Sequence, residues 1–274
     1  MSVTKSAPQN PLTMIILIIV LLICIFANLT NLFLNFQCLF INQQKPVLNN
    51  FKTYELLLTK YVHNGYVDYQ KLKADRQWEN TLNELKSPTL ITTPEQYFAF
   101  WINAYNTLVL KTICDQYPLK SLHELKNAYA SKKFIVNGQI CSIQDIYNFK
   151  LLLPMQSQKN IKPLFLTCNG SVGWPKLLNH PIYPHTLYDD CESSIELFIN
   201  NKANVIFKPQ NKCLMISQFF QINKLIFDSL FGDPFNFVIE YYTYPHKEEL
   251  YNITIEKYFF PQYNWLINDT SNQG

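Results

Sequence analysis

From Leu12 to Ala27 the chain reads LTMIILIIVLLICIFA, apolar at every position but Thr13, and the run continues through Leu29, Leu32, Phe33, Leu34 and Phe36. No charged residue occurs between Lys5 and Lys45. A helix needs about 20 apolar residues to cross a bilayer core. The pattern therefore predicts one transmembrane helix over residues 12–36, with Asn28, Thr30 and Asn31 near an interface, a tail of residues 1–11 before it and a linker of residues 37–50 after it. A cleaved signal peptide fits less well, because Lys5 alone makes the positive n-region and the run is longer than an h-region usually is. A buried core helix is disfavoured by the absence of any polar face.

Beyond Pro46 the pattern becomes amphipathic. Phe51, Tyr54, Leu57, Leu58, Tyr61 and Val62 recur at helical spacing, and Gly65 stops that helix. Val67-Asp68-Tyr69 reads as an extended link into a second helix near Trp78 to Leu85. Thr93-Pro94-Glu95-Gln96 combines an N-cap, a proline at the first helical position and the glutamine of a capping box. The helix it opens, Glu95 to about Cys114, is apolar on nearly every face and should form the buried centre. Asn137-Gly138 supplies two residues that tolerate positive φ, which predicts a β-hairpin over Phe134–Ile140. Ser142 can cap a helix to about Leu153, and Pro163–Thr167 reads as a buried strand leading into a turn-rich loop, Cys168 to Pro175. A helix with Leu187, Cys191, Ser194, Ile195 and Phe198 on one face follows. Then come a hairpin of Val205–Phe207 with Leu214–Ile216, a helix from Gln218 to Phe231 ended by Gly232, another from Pro234, and a final strand within Tyr251–Ile267. The fold class is α+β: a single mixed helix and strand globular domain over residues 51–268, behind one N-terminal transmembrane helix.

Composition narrows the function classes. Of the 274 residues 48% are hydrophobic and 15% aromatic, enough for one large core. Twenty-three Lys and Arg against 20 Asp and Glu leave a net charge of +3, with no basic stripe of the kind nucleic acid requires. With six glycines there is no phosphate-cradling glycine-rich loop. The seven cysteines include no C-x-x-C pair, which excludes a zinc ribbon or a thioredoxin-like motif. Apart from Cys24 in the apolar run, they are readable as three disulfides or as buried thiols, with buried thiols favoured in a chain this large.

Several stretches together resemble the domain of unknown function 547 family: Gly65–Tyr69 (GYVDY), Phe100–Asn106 (FWINAYN), Tyr117-Pro118 with Ser121, Ser142–Ile146, Phe165–Leu177, and Tyr263-Asn264-Trp265 with Asn268. They occur in the family's order across about residues 54–268, and the FWINAYN heptad is the most specific. The resemblance also exposes departures. Where the family usually has Glu, His and a Cys-Pro pair, this chain has Tyr147, Leu164 and Trp174-Pro175, and Ile222, Asn223 and Ile226 stand at aromatic and acidic positions. Any Cys/His/carboxylate chemistry in the family would have lost most of its polar members here.

Candidate chemistry centres on Cys168. A cysteine nucleophile needs a base to hold it as thiolate and a third group to orient that base. His180 and His185 follow, with Asp189 and Asp190 behind them; the competing reading is a buried thiol beside a Pro-rich surface loop. Asn103 and Asn106, three apart on an apolar helix, either line a cleft near Cys168 or pin a neighbouring backbone. Asp68 is a turn acid or a cleft acid, and Asn169 joins the binding candidates. No metal is expected, because the spacing of His180, His185, Asp189 and Cys191 matches no standard zinc site and prolines interrupt it. No cofactor is implied. The expected partners are a lipid bilayer, through residues 12–36, and a protein of unspecified identity, without nucleic acid. Two functional readings stay open: a membrane-anchored, catalytically degenerate domain acting through binding or assembly, and a membrane-tethered hydrolase or transferase with Cys168 as nucleophile. The flanking charges, Lys5 against Lys45, Lys52 and Lys60, specify orientation weakly and tilt toward an extracytoplasmic, single-pass arrangement.

Overall fold

The computed structural model describes residues 11–41, 49–243, 247–252 and 257–273, some without their side chains. It begins with α1, Pro11–Ile41 (31 residues), whose large apolar side chains stand in the open: Leu22 is 59%, Phe26 70% and Leu32 66% exposed. Among the described residues no helix is long and apolar enough to cross a membrane. The side chains of Leu17, Cys24, Ala27 and Thr30 lie outside the described residues, so the stretch expected to span is described only in part.

The body alternates short helices with small sheets. Helix α2 (Lys52–Tyr61) leads into a two-residue hairpin, β1 (Val62–His63) with β2 (Tyr66–Val67), and then into α3 (Tyr69–Lys73) and α4 (Gln77–Lys86). The expected link at Val67–Tyr69 is thus a strand end and a helix start. Asn64-Gly65, with φ of 52° and 86°, turns the chain by the same chemistry as Asn137-Gly138. Helix α5 (Pro94–Gln116) is the central post. Thr93 caps it by accepting from Gln96 N, and every residue from Phe98 to Cys114 except Lys111 is buried. A helix apolar all round is stable only when other elements cover all of it, and here they do.

After α6 (Ala128–Ser131), the predicted hairpin is present as β3 (Phe134–Val136) and β4 (Gln139–Cys141), with Asn137 and Gly138 at φ of 49° and 67°. Ser142 and Asp145 form a reciprocal capping box that starts α7 (Ile143–Asp145), a π-helical stretch (Ile146–Leu152) and α8 (Leu153–Ser157). The strand expected at Pro163–Thr167 is instead a 3-10 helix, Lys162–Leu166. Pro163 has no N–H to give a sheet ladder. The Leu166 carbonyl and the Cys168 N–H, which a strand would offer to a neighbour, are both taken by Asn106.

Helix α9 (Leu187–Ile199) precedes β5 (Val205–Lys208) and β6 (Cys213–Ile216), which pair antiparallel. The single helix expected over Gln218–Phe231 is two, α10 (Gln218–Ile222) and α11 (Lys224–Phe231). They break at buried Asn223, whose Nδ2 donates to the Phe219 carbonyl and competes with the helical ladder. Then come α12 (Pro234–Tyr241), α13 (Lys247–Asn252) and β7 (Lys257–Phe259), which pairs parallel to β6. Mixed small sheets and dominant helices make the body α+β. A phenylalanine cluster, Phe165, Phe198, Phe219, Phe220, Phe227 and Phe237, fills the space between α9 and the later helices, with ring centroids 5.0–6.4 Å from Phe165 and Phe237 stacked on it at 5.4 Å.

Candidate functional site

Two asparagines one turn apart on α5 carry the loops that hold the candidate chemistry. Asn103 donates through Nδ2 to the Ile182 carbonyl and accepts from Ile182 N, both at 2.8 Å. Asn106 treats the next loop the same way, donating to the Leu166 carbonyl (2.9 Å) and accepting from Cys168 N (2.8 Å). A primary amide matches a peptide's donor and acceptor pair, so each side chain replaces the strand these backbones lack. Both amides face backbone, and neither opens onto a cleft.

A third strap comes from the end of the chain. Asn268 N donates to the Gly170 carbonyl, its own carbonyl accepts from Val67 N, and its Nδ2 donates to the Gly65 carbonyl at 2.8 Å. Its Oδ1 accepts from the Tyr69 hydroxyl at 2.7 Å. Neighbouring residues extend the stitch, as Ile267 N donates to the Lys120 carbonyl and Val172 N to the Leu266 carbonyl. Segments 65–69, 120–122, 168–173 and 264–269 therefore meet at one place.

Cys168 sits at that junction, 1% exposed. Its sulfur accepts from Asn268 Nδ2 at 3.7 Å and from the Gly170 N–H. Burial pushes the thiol up to about 12, and those two donors offset only part of that shift. Tyr54, Tyr69, Tyr105 and Tyr129 surround it closely enough that a thiolate would disfavour ionisation of each. The Tyr54 and Thr107 hydroxyls face each other in this wall without hydrogen-bond geometry, and neither has another partner among the described residues. Gly170 holds φ at +88°, and a Cβ there would lie 2.3 Å from Ile113 Cδ1, so this loop is seated against α5 by a residue without a side chain.

The histidines lie elsewhere on the same helix's surroundings. His180 Nδ1 is 3.0 Å from the Pro181 carbonyl and Nε2 is 3.9 Å from Asp190 Oδ1. His185 is exposed and stacks on Tyr183, with centroids 5.6 Å apart. No hydrogen bond joins either imidazole to Cys168 among the described residues. Asp68 caps α3, accepting from Lys71 N at 3.0 Å and pairing with Lys71 Nζ at 2.8 Å. Burial pushes its carboxyl up, but the Lys71 donors outweigh it and hold the group below its ordinary value. Asn169 accepts from Ser171 N and Oγ and donates to the Tyr263 hydroxyl, which ties its loop internally. No cluster of three or more metal-ligating side chains occurs among the described residues.

What sequence reasoning missed is the role of Asn268, Tyr69 and Tyr129. The Asn268 signal was its place in the final matched stretch; nothing in the spacing showed that residues two hundred positions apart would close over one sulfur. Positions 147, 174 and 223 also meet. The Tyr147 hydroxyl donates to Asn223 Oδ1, and its ring lies 6.2 Å from that of Trp174, which donates through Nε1 to Thr167 Oγ1.

Fold and site define an α+β domain whose candidate cysteine is closed off by backbone straps and tyrosines. The family model described as Protein of unknown function, DUF547, matches residues 90–199, and over that stretch it supports the resemblance to this family. The match contains the FWINAYN helix and the 165–177 loop, while GYVDY and Asn268 lie outside it and join it through hydrogen bonds. No curated protein and no solved structure matches the chain.

Proposed function

We propose that this is a membrane-anchored, catalytically degenerate domain that works through binding or assembly. The observation that carries the reading is the state of Cys168: sealed from solvent, protonated, and contacted by an amide and a backbone N–H where a nucleophile would need an imidazole. The meeting of Tyr147, Trp174 and Asn223 supports it, because aromatic packing and an amide occupy the positions where the resemblance places acidic and thiol groups. Anchoring rests on α1, uncharged throughout and exposing isoleucine, leucine and phenylalanine between Met14 and Phe33. Lipid is the medium that would cover those side chains, with the domain on the extracytoplasmic side.

The test is thiol labelling across a pH series, quantified at Cys168 by peptide mapping with Cys168→Ala as control. Protection through neutral pH is expected, yielding only when alkali opens the fold. The sign follows from the shift: a thiol raised from 9.0 to about 12 contributes stability fully below pH ~9 and loses it as pH climbs toward the folded value. Rapid labelling with an apparent pKa below the ordinary thiol range would restore the cysteine-enzyme reading.

A further inference from the structure

We propose that the cleft between the 172–178 segment and α9 binds a small amphipathic carboxylate; this deepens the reading of the domain as a binding module. The cleft has a volume of about 400 Å³, within the range that holds a small organic ligand. Val172, Trp174, Leu178, Leu197 and Phe198 give it apolar walls, and no acidic residue lines it.

Its polar lining is Tyr66, Lys176, Ser194, Asn201 and Asn204, with Lys176 as the one charged group. Lys176 lines the cleft, its aliphatic stem passing over Gly65, where a Cβ would come within 2.7 Å of Lys176 Cβ. Among the described residues Lys176 has no acidic partner. Tyr66 stands at the same end, one residue past Gly65. On the opposite wall Ser194, 6% exposed, buries a hydroxyl with no hydrogen-bond partner. A helical serine ordinarily recovers a bond from the preceding turn or from water, and a buried hydroxyl without one is unfavourable.

The charge pattern sets orientation and class. Helix α9 ends at Ile199 beside the cleft, and the negative end of its dipole disfavours an anion there. The anionic group therefore belongs at the Lys176 and Tyr66 end, and the apolar body over Trp174, Leu197 and Phe198. A single cation with no guanidinium fork suits one negative charge, a carboxylate, better than a phosphate.

The experiment follows the fluorine NMR signal of 4-fluorophenylacetate, and of its neutral counterpart 2-(4-fluorophenyl)ethanol, with the full chain in lipid nanodiscs and empty nanodiscs as blank. Saturable binding is expected, the acid preferred by about fivefold, as suits one partly exposed ion pair. Lys176→Ala should remove that preference, Lys176→Arg should keep most of it, and Ala203→Trp, at an exposed rim position, should abolish binding of both probes. Equal affinity for acid and alcohol, saturable binding that survives Ala203→Trp, or no saturable binding would overturn the proposal. A reactive Cys168 would sink the binding-module reading while leaving these titrations intact, so the two failures are separable.

Discussion

Asn106 shows how one side chain can stand in for an element of secondary structure. Its amide takes the donor and acceptor that flank Thr167, both buried, so its removal strands two peptide groups and opens a small void. Asn106→Ala should destabilise the body by about 3 kcal/mol, read as a shift in denaturant midpoint with unchanged slope. Asn106→Asp keeps the acceptor but loses the donor and should fall no closer to wild type than about 2 kcal/mol. A loss under 1 kcal/mol for Ala would show that the 3-10 segment holds itself. The same residue marks a limit of sequence reading: two asparagines on an apolar helix announce that something polar must meet them, and the spacing cannot say whether it is a ligand or a peptide bond.

Elements whose determinants are local were legible. Thr93-Pro94, Asn137-Gly138, Ser142 and Gly232 each act within four residues of themselves, and the helix starts, hairpin and helix stop stand where those residues put them. Elements decided by distant partners were not. Pro163–Thr167 has strand-like apolarity but no strand beside it, and Asn223 breaks a helix that its neighbours would continue. Asn64-Gly65 carries the same local turn chemistry, and the residue expected only to stop a helix also turns a hairpin. At this scale Ser142→Ala should cost about 1 kcal/mol, since it removes the acceptor for Asp145 N and leaves the start of α7 uncapped. An unchanged melting temperature would mean that β4 and the Asp145 to Lys133 pair fix that corner alone.

For the whole molecule, the two ends make different demands. Helix α1 carries its apolar surface outward, while its final turns reach β4 and the body. If lipid covers the exposed part, the full chain should remain in the pellet after alkaline carbonate extraction, and a chain beginning at residue 49 should appear in the supernatant. Release of the full chain by carbonate would end the anchoring proposal. The location of the candidate site was half visible in sequence: the 168–175 loop was singled out by its glycines and cysteine, whereas its closure depends on a segment nearly one hundred residues later.

That late closure orders the events of synthesis. Residues 65–69 and 168–173 both leave the ribosome before Asn268 exists to bridge them, so a growing chain carries the Cys168 thiol unsealed, beside apolar side chains that later become core. The finished molecule hides this thiol, and the half-made one displays it. Oxidants, holdases and folding catalysts would meet Cys168 chiefly during that interval.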